Sequence, residues 1–431
     1  MKILFYKWHA YNEACMERAL RAEGHEGVPF AMECRHYTRD LQLSMQMIGK
    51  IHAEHVDAVF SFNYYPIVSL ICDTCKIPYY AWVFDAVHFT LFCEPVRLAC
   101  NHIASFDRHQ IELLSAYGVD TVFYLPLAGE EFPSLKEAQM QEEAQAKVRT
   151  APQNARKSSP VQGREPYGGR ERFASDVSFV GTLYTGAYSY YTDAAREKSL
   201  PIAEEIIEKQ KFCYDADVIA PAMPELLRAP EYEVFREYME TAHMKQDAEY
   251  FLPERRIVQS SFLEKEVTIR ERQELLRAVA RAARGSAKKS ALSNVGFDFA
   301  LYTGSDVSAM PELSACARGV VDYDTEMPFV FALSRINLSM TRCSIRSGIP
   351  LRVFDVMACG GFVLTDARPD IEEFFTDGKE LAIYHGVEEC LDKIAYYLSH
   401  EEERLAIARA GRERVARDFT YAGQIKKLFA S

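Results

Sequence analysis

The sequence predicts an α/β protein with two parallel-sheet domains, and three observations carry that expectation. Residues 2–127 alternate short apolar runs with helix-like stretches, the pattern of a parallel sheet covered by helices. Residues 133–172 break the pattern, being rich in Gln, Glu, Lys, Arg, Ser, Gly and Pro and poor in large apolar groups. They read as a linker or a mobile surface insertion. Asp176-Val177-Ser178-Phe179-Val180-Gly181 then restarts it with a strand ending in glycine.

The first domain, residues 1–130, opens with a strand at Ile3–Tyr6 and a helix at Tyr11–Glu23. A helix at Leu41–Glu54 leads to a strand at Asp57–Phe62, and a helix at Pro66–Cys75 to a strand at Pro78–Phe84. Cys100–Phe106 reads as a strand, Arg108–Tyr117 as a helix and Thr121–Leu125 as a strand. After the linker (131–172), residues 173–420 form the second domain. Within it, residues 187–290 look mainly helical, too long for one crossover helix and so an elaboration. Phe297–Tyr302, Gly319–Tyr323, Arg335–Leu338 and Phe362–Leu364 read as further strands. Val387–Leu398 and Glu401–Phe419 are amphipathic helices, and a last helix spans Tyr421–Phe429 within the closing segment 421–431.

A chain of 431 residues with 48% hydrophobic and 26% charged residues has ordinary globular composition. The net charge of −12 argues against nucleic acid as a partner. No run reaches the roughly 18 apolar residues needed to span a bilayer. Met1–Tyr6 is too short for a signal peptide and reads as a first strand; the expected location is the cytoplasm. The eleven cysteines have no framework spacing and read as reduced, mostly buried thiols. Cys72 and Cys75 form a C-x-x-C, with no second pair at zinc spacing.

Gly348 to Asp366 (GIPLRVFDVMACGGFVLTD) is the most informative stretch. Pro350 suits the first turn of a helix, and Gly360-Gly361 suit a helix stop. Phe362–Leu364 reads as a strand buried on both faces. Arg352 and Asp355, three residues apart on one face of an otherwise apolar helix, call for a partner or a ligand. The helix start at Gly348 offers free N–H groups to a phosphate.

Three segments, Ser334–Ser344 (SRINLSMTRCS), Gly348–Asp366 and Glu372–Tyr384 (EEFFTDGKELAIY), resemble the C-terminal domain of the CgeB-like, spore-maturation type glycosyltransferases. Phe62–Pro66, Trp82–Asp85 and Tyr124–Leu127 resemble the N-terminal domain that accompanies it in many Firmicutes proteins. The resemblance covers most of residues 1–130 and 173–430. It implies a GT-B enzyme, with two Rossmann-like domains facing a cleft and the last helix crossing back to the first domain. The donor would be a nucleotide sugar, UDP-sugar above all, with no metal and no other cofactor. Asp322-Tyr323-Asp324, the nearest string to a metal-binding D-x-D, reads as a strand-end loop.

By the same resemblance Asp355 holds the ribose hydroxyls, in a place where many retaining relatives carry Glu. Ser347 stands eight positions upstream, where those relatives carry a second Glu, so the paired-acid motif is incomplete and retention of configuration is not implied. Arg346 and Arg352 are candidates for the diphosphate. Their bland alternatives are a solvated loop cation for Arg346 and an internal ion pair with Asp355 for Arg352. Gly181 either lets the backbone approach the diphosphate or makes a plain turn, and Gly361 either touches the donor or stops a helix. Asp366 is a donor-sugar contact or a helix cap.

On the acceptor side, Asp85 and His88 follow a strand and fall at the ligand edge of the first sheet, where either can act as general base. Asn63, His9 and Asn12 share that edge; for His9 and Asn12 the alternative is a helix cap. These residues point to a glycosyltransferase acting on a saccharide or protein acceptor. An epimerase or hydrolase of the same fold, and a catalytically silent nucleotide-sugar-binding scaffold, are the competing expectations.

Overall fold

Runs such as Ala58–Phe62 and Tyr79–Val83 are buried at every position, which only a sheet covered on both faces allows. The computed structural model describes residues 1–130, 132–137, 170–185, 193–233, 250–285 and 296–431. Most of the expected linker, and residues 187–192, 234–249 and 286–290 of the expected helical elaboration, lie outside the described residues.

The first sheet comprises β1 (Lys2–Lys7), β2 (Glu26–Ala31), β3 (Ala58–Phe62), β4 (Tyr79–Val83), β5 (Asn101–Ser105) and β6 (Val122–Tyr124), all parallel, in the order β2-β1-β3-β4-β5-β6. The second comprises β7 (Ser175–Val180), β8 (Phe299–Tyr302), β9 (Ser334–Ser339), β10 (Val363–Asp366) and β11 (Ala382–Tyr384), again parallel, in the order β11-β10-β9-β7-β8. Each order reverses once, between β1 and β3 and between β7 and β9. Crevices for ligands open outside the carboxyl ends of the strands at such reversals.

Two strands escaped the sequence reading. β2 carries Gly27 and Pro29 and lies at the sheet edge, where proline is tolerated. β11 is only three residues long. The strand expected at Gly319–Tyr323 does not form. Gly319 accepts the Thr303 N–H at 2.8 Å, then turns the chain away with φ +83°, and Val320 is exposed.

Local chemistry sets the helix starts. Asp40 caps the helix Leu41–Glu54 through the Leu43 N–H (3.0 Å), and Asp107 caps Arg108–Ala116 through the His109 N–H (2.9 Å). Pro66 opens Pro66–Cys75 as its first residue. The helices Asp193–Gln210, Ile219–Leu226 and Glu264–Ala283 form a layer with its own apolar core around Ile207, Met223, Phe262 and Val267.

A hydrophobic core runs through the seam between the sheets. It joins Phe60, Trp82 and Phe106 of the first domain to Ile349, Phe354 and Phe419 of the second. The last helix, Tyr421–Phe429, packs on the first sheet, with Tyr421 edge-on to Trp82 (5.7 Å) and Phe429 edge-on to Tyr80 (4.7 Å). The chain therefore returns to the domain in which it began.

Candidate functional site

The loop Cys343–Gly348 stitches the two domains together. Arg346 donates its backbone N–H to Asp107 Oδ2 (2.8 Å), and Ser347 Oγ accepts the Arg108 N–H (2.9 Å) while donating to Asp107 Oδ1 (3.3 Å). Ser344 Oγ donates to the Ala86 carbonyl at 2.7 Å, pinning the loop that carries Asp85 and His88. Alongside, Arg108 pairs with Glu373 and with Asp370 (3.3 Å), and Tyr124 donates to Asp370 at 2.9 Å. Gly348 lies so close that an added Cβ would stand 2.6 Å from the Phe106 carbonyl oxygen. Overpacking of this kind costs about 1–3 kcal/mol, so Gly348→Ala is expected to lower Tm by a few degrees, checked by calorimetry.

In this geometry most of the donor residues expected from sequence have partners within the protein. Arg346 is held by Glu264 (2.6 Å) and Asp217 (3.2 Å), so its guanidinium serves an internal ion-pair network. Arg352 lies 3.5 Å from Asp355, donates to Met327 Sδ and stacks over Phe331. Asp355 is 3% exposed, with Oδ1 taken by the Tyr323 hydroxyl (3.1 Å) and Oδ2 by Arg352. Burial raises its pKa to about 6, against the opposing pull of Arg352 and Tyr323. Asp366 accepts from Thr341 (2.8 Å) and pairs with Arg368 (2.9 Å), bracing the ends of β9 and β10. Gly361 is a packing glycine: a Cβ there would meet the Phe331 carbonyl at 2.5 Å. Ser347 and Gly348 belong to the seam.

At the β7/β9 reversal a different set of residues converges. Gly181 follows β7, and the chain continues through Thr182 to Tyr184, which adopts φ +57°. Arg272, on the helix Glu264–Ala283, donates to the Thr182 carbonyl (2.5 Å) and the Met340 carbonyl (2.9 Å), tying the two strand ends together. Three cations surround the Tyr184 ring: Arg272 at 5.1 Å, Lys265 at 5.5 Å and Arg342 at 5.7 Å from its centroid. No carboxylate pairs with Arg342 among the described residues. Burial, with the positive charge of Arg342 beside it, lowers the Lys265 pKa to about 7. A perturbed lysine at a strand-end crevice is a functional-site signature. A π-helical turn at Gln259–Leu263 ends two residues before Lys265, a distortion frequent at such sites.

Sequence reasoning missed this cluster. Arg342 lies within SRINLSMTRCS, three residues past the end of β9, and that spacing was a usable signal. Lys265 sits in the charge-dense run EKEVTIRERQE, where nothing marks one cation from another.

In the first domain, Asp85 lies just beyond β4. Asn63, in the left-handed region at φ +59°, clamps that strand end: its Oδ1 accepts the Phe84 N–H (2.9 Å) and its Nδ2 donates to Asp85 Oδ2 (2.8 Å). Asp85 is exposed. His88 sits half-buried behind it, its Nε2 3.2 Å from the Tyr64 carbonyl and its backbone N–H donating to Gln110 Oε1 (2.6 Å). Burial lowers the His88 pKa, with Asp85 opposing, so the imidazole is neutral near pH 7. His9 is exposed at φ +70°, and Asn12 is 2% exposed with no partner for its Oδ1 among the described residues. Neither caps the helix Glu13–Ala22 through its side chain.

Comparison with known proteins places this architecture. Residues 270–430 match the glycosyl transferase-like family. Spore protein CgeB of Bacillus subtilis (strain 168) is 31% identical over 103 residues, which span 24% of this chain and 30% of the Bacillus protein. A glycosyltransferase from Rickettsia africae superposes with a TM-score of 0.51 at 10% identity, covering 100% of this chain and 97% of that one. Sucrose-phosphate synthase from Thermosynechococcus elongatus gives 0.49 at 11% identity, covering 100% and 98%. The chain thus has the GT-B fold, carries a glycosyl transferase-like domain over residues 270–430 and is similar in part to CgeB.

Proposed function

We propose that this protein is a nucleotide-sugar-dependent glycosyltransferase. The observation that carries the reading is the trio of cations around Tyr184 at the β7/β9 reversal. Sugar transfer needs the leaving diphosphate stabilised and the incoming hydroxyl positioned and deprotonated. Arg342 and Lys265 supply the first. The Arg342 guanidinium and the protonated Lys265 ammonium would meet phosphate oxygens, and Gly181 would let the protein backbone approach the diphosphate. Asp85 supplies the second, accepting the proton of the acceptor hydroxyl while Asn63 fixes the carboxylate. His88 positions the loop from behind. We read the donor as a UDP-sugar and the reaction as independent of metal.

A thermal-shift screen against UDP, GDP, dTDP and CMP, with and without magnesium, tests this. One nucleotide family is expected to raise Tm by several degrees without magnesium, because a ligand stabilises the state it binds. The shift should shrink markedly in Arg342→Ala and persist in Asp85→Ala. No shift with any nucleotide would sink the reading.

A further inference from the structure

The first domain contains a cavity outside the residues assigned above to the donor and to proton transfer. It lies above the carboxyl ends of β1 and β2, next to the β1/β3 reversal, with a volume of 580 Å³. That falls within the roughly 300–1,000 Å³ of small-molecule sites. Aromatic rings dominate its wall: Tyr6, Trp8, Tyr37 and Tyr65. Tyr65 stands edge-on to Tyr6 at 5.0 Å and tilted against Tyr37 at 6.3 Å, so the rings brace one another. Trp8 is held by its indole N–H on the Phe62 carbonyl (2.8 Å), and Glu13 accepts the N–H groups of Trp8 (3.0 Å) and Ala10 (2.9 Å). The wall is therefore preorganised.

Its polar groups are sparse and specific. Tyr6 donates its hydroxyl to the Met32 carbonyl at 2.9 Å. The hydroxyls of Tyr37 and Tyr65 have no hydrogen-bond partner among the described residues. Lys7 is ion-paired with Glu17 at 2.5 Å, and Glu33 is the one carboxylate of the lining. A phosphate or carboxylate ligand would meet Glu33 and no unpaired lysine or arginine. A pyranose ring has the matching chemistry: one C–H face for an aromatic ring, and neutral hydroxyls for the tyrosines, Glu33 and His9.

The loop that floors this cavity also reaches the second domain. Trp8 and His9 line the pocket, and Tyr11 of the same loop packs its ring 5.2 Å from Tyr323. We infer that the cavity is the acceptor subsite and that the acceptor is a neutral saccharide stacked on Tyr37 and Tyr65, rather than a peptide or a phosphorylated metabolite. This rests on the transferase reading for the word acceptor, but not for the sugar.

Saturation-transfer NMR on the full chain tests it, using maltose, cellobiose, N,N′-diacetylchitobiose and a serine/threonine-rich peptide, each with and without UDP. At least one disaccharide is expected to bind, with saturation strongest at its ring C–H protons. Tyr37→Ala should weaken it roughly 3- to 10-fold, the worth of one aromatic face. Tyr65→Phe keeps the ring and guards against a folding defect; it should weaken binding less. Both variants should keep the affinity for UDP. Disaccharides that fail to bind, a sugar indifferent to Tyr37→Ala, or capture of the peptide alone would each overturn the proposal. Sugars that bind at Tyr37 while UDP does not would leave the saccharide site standing and strike the transferase reading instead.

Discussion

Asp85→Ala is expected to lower kcat by roughly 10²- to 10⁴-fold, the usual contribution of a general acid or base, with donor affinity unchanged. The expectation comes from how the carboxylate is held. It sits at the carboxyl end of β4, exposed, with one oxygen bound by Asn63 at 2.8 Å. Asn63 is itself fixed by the Phe84 N–H at 2.9 Å. A carboxylate oriented this way leaves its second oxygen without a hydrogen bond among the described residues, available to an acceptor hydroxyl. Asn63→Ala keeps the carboxylate and removes its clamp. As a positioning residue it should cost less in kcat, raise KM for the acceptor and leave donor binding alone. Initial-rate kinetics with calorimetric titration of the nucleotide separate these effects. An Asp85→Ala enzyme with wild-type kcat would place the proton acceptor elsewhere.

The first sheet was legible because β3 and β4 are apolar at nearly every position, a signal that survives without knowledge of their neighbours. β2 was not: its Gly27 and Pro29 argue against a strand, and only its place at the sheet edge permits them. The position of the first-domain edge was legible as well, since residues just past a parallel strand lie at its carboxyl end, as Asp85, Asn63 and His9 do. On the donor side, sequence showed which side chains were polar but not what they face. Arg346 and Arg352 were candidates because guanidinium forks match phosphate oxygens, yet Glu264 lies 82 positions upstream of Arg346. No local pattern announces such a pair. Ser347, read against a missing acid, is a strut between domains, its hydroxyl on Asp107 and Arg108.

Arg342→Ala is expected to weaken nucleoside diphosphate binding about 10- to 100-fold, from the 1.5–3 kcal/mol of a hydrogen bond to a charged group. The pH dependence makes the prediction specific. Burial and Arg342 lower the Lys265 pKa to about 7, so the charged ammonium that grips phosphate is lost as pH rises through that value. Affinity should fall across neutrality in the wild type. Removing Arg342 removes a neighbouring positive charge, so the residual affinity of Arg342→Ala should fall at higher pH. Lys265→Arg keeps its charge throughout and should flatten the profile. The stability of the free protein moves the other way. Between about 7 and 10.5 the unfolded chain holds the Lys265 proton that the folded chain has released, so this group makes unfolding harder as pH rises. Nucleotide titrations and denaturant melts over the same pH range should therefore diverge in sign. A general loss of structure would drive both downward together; only a titrating cation at the phosphate site separates them.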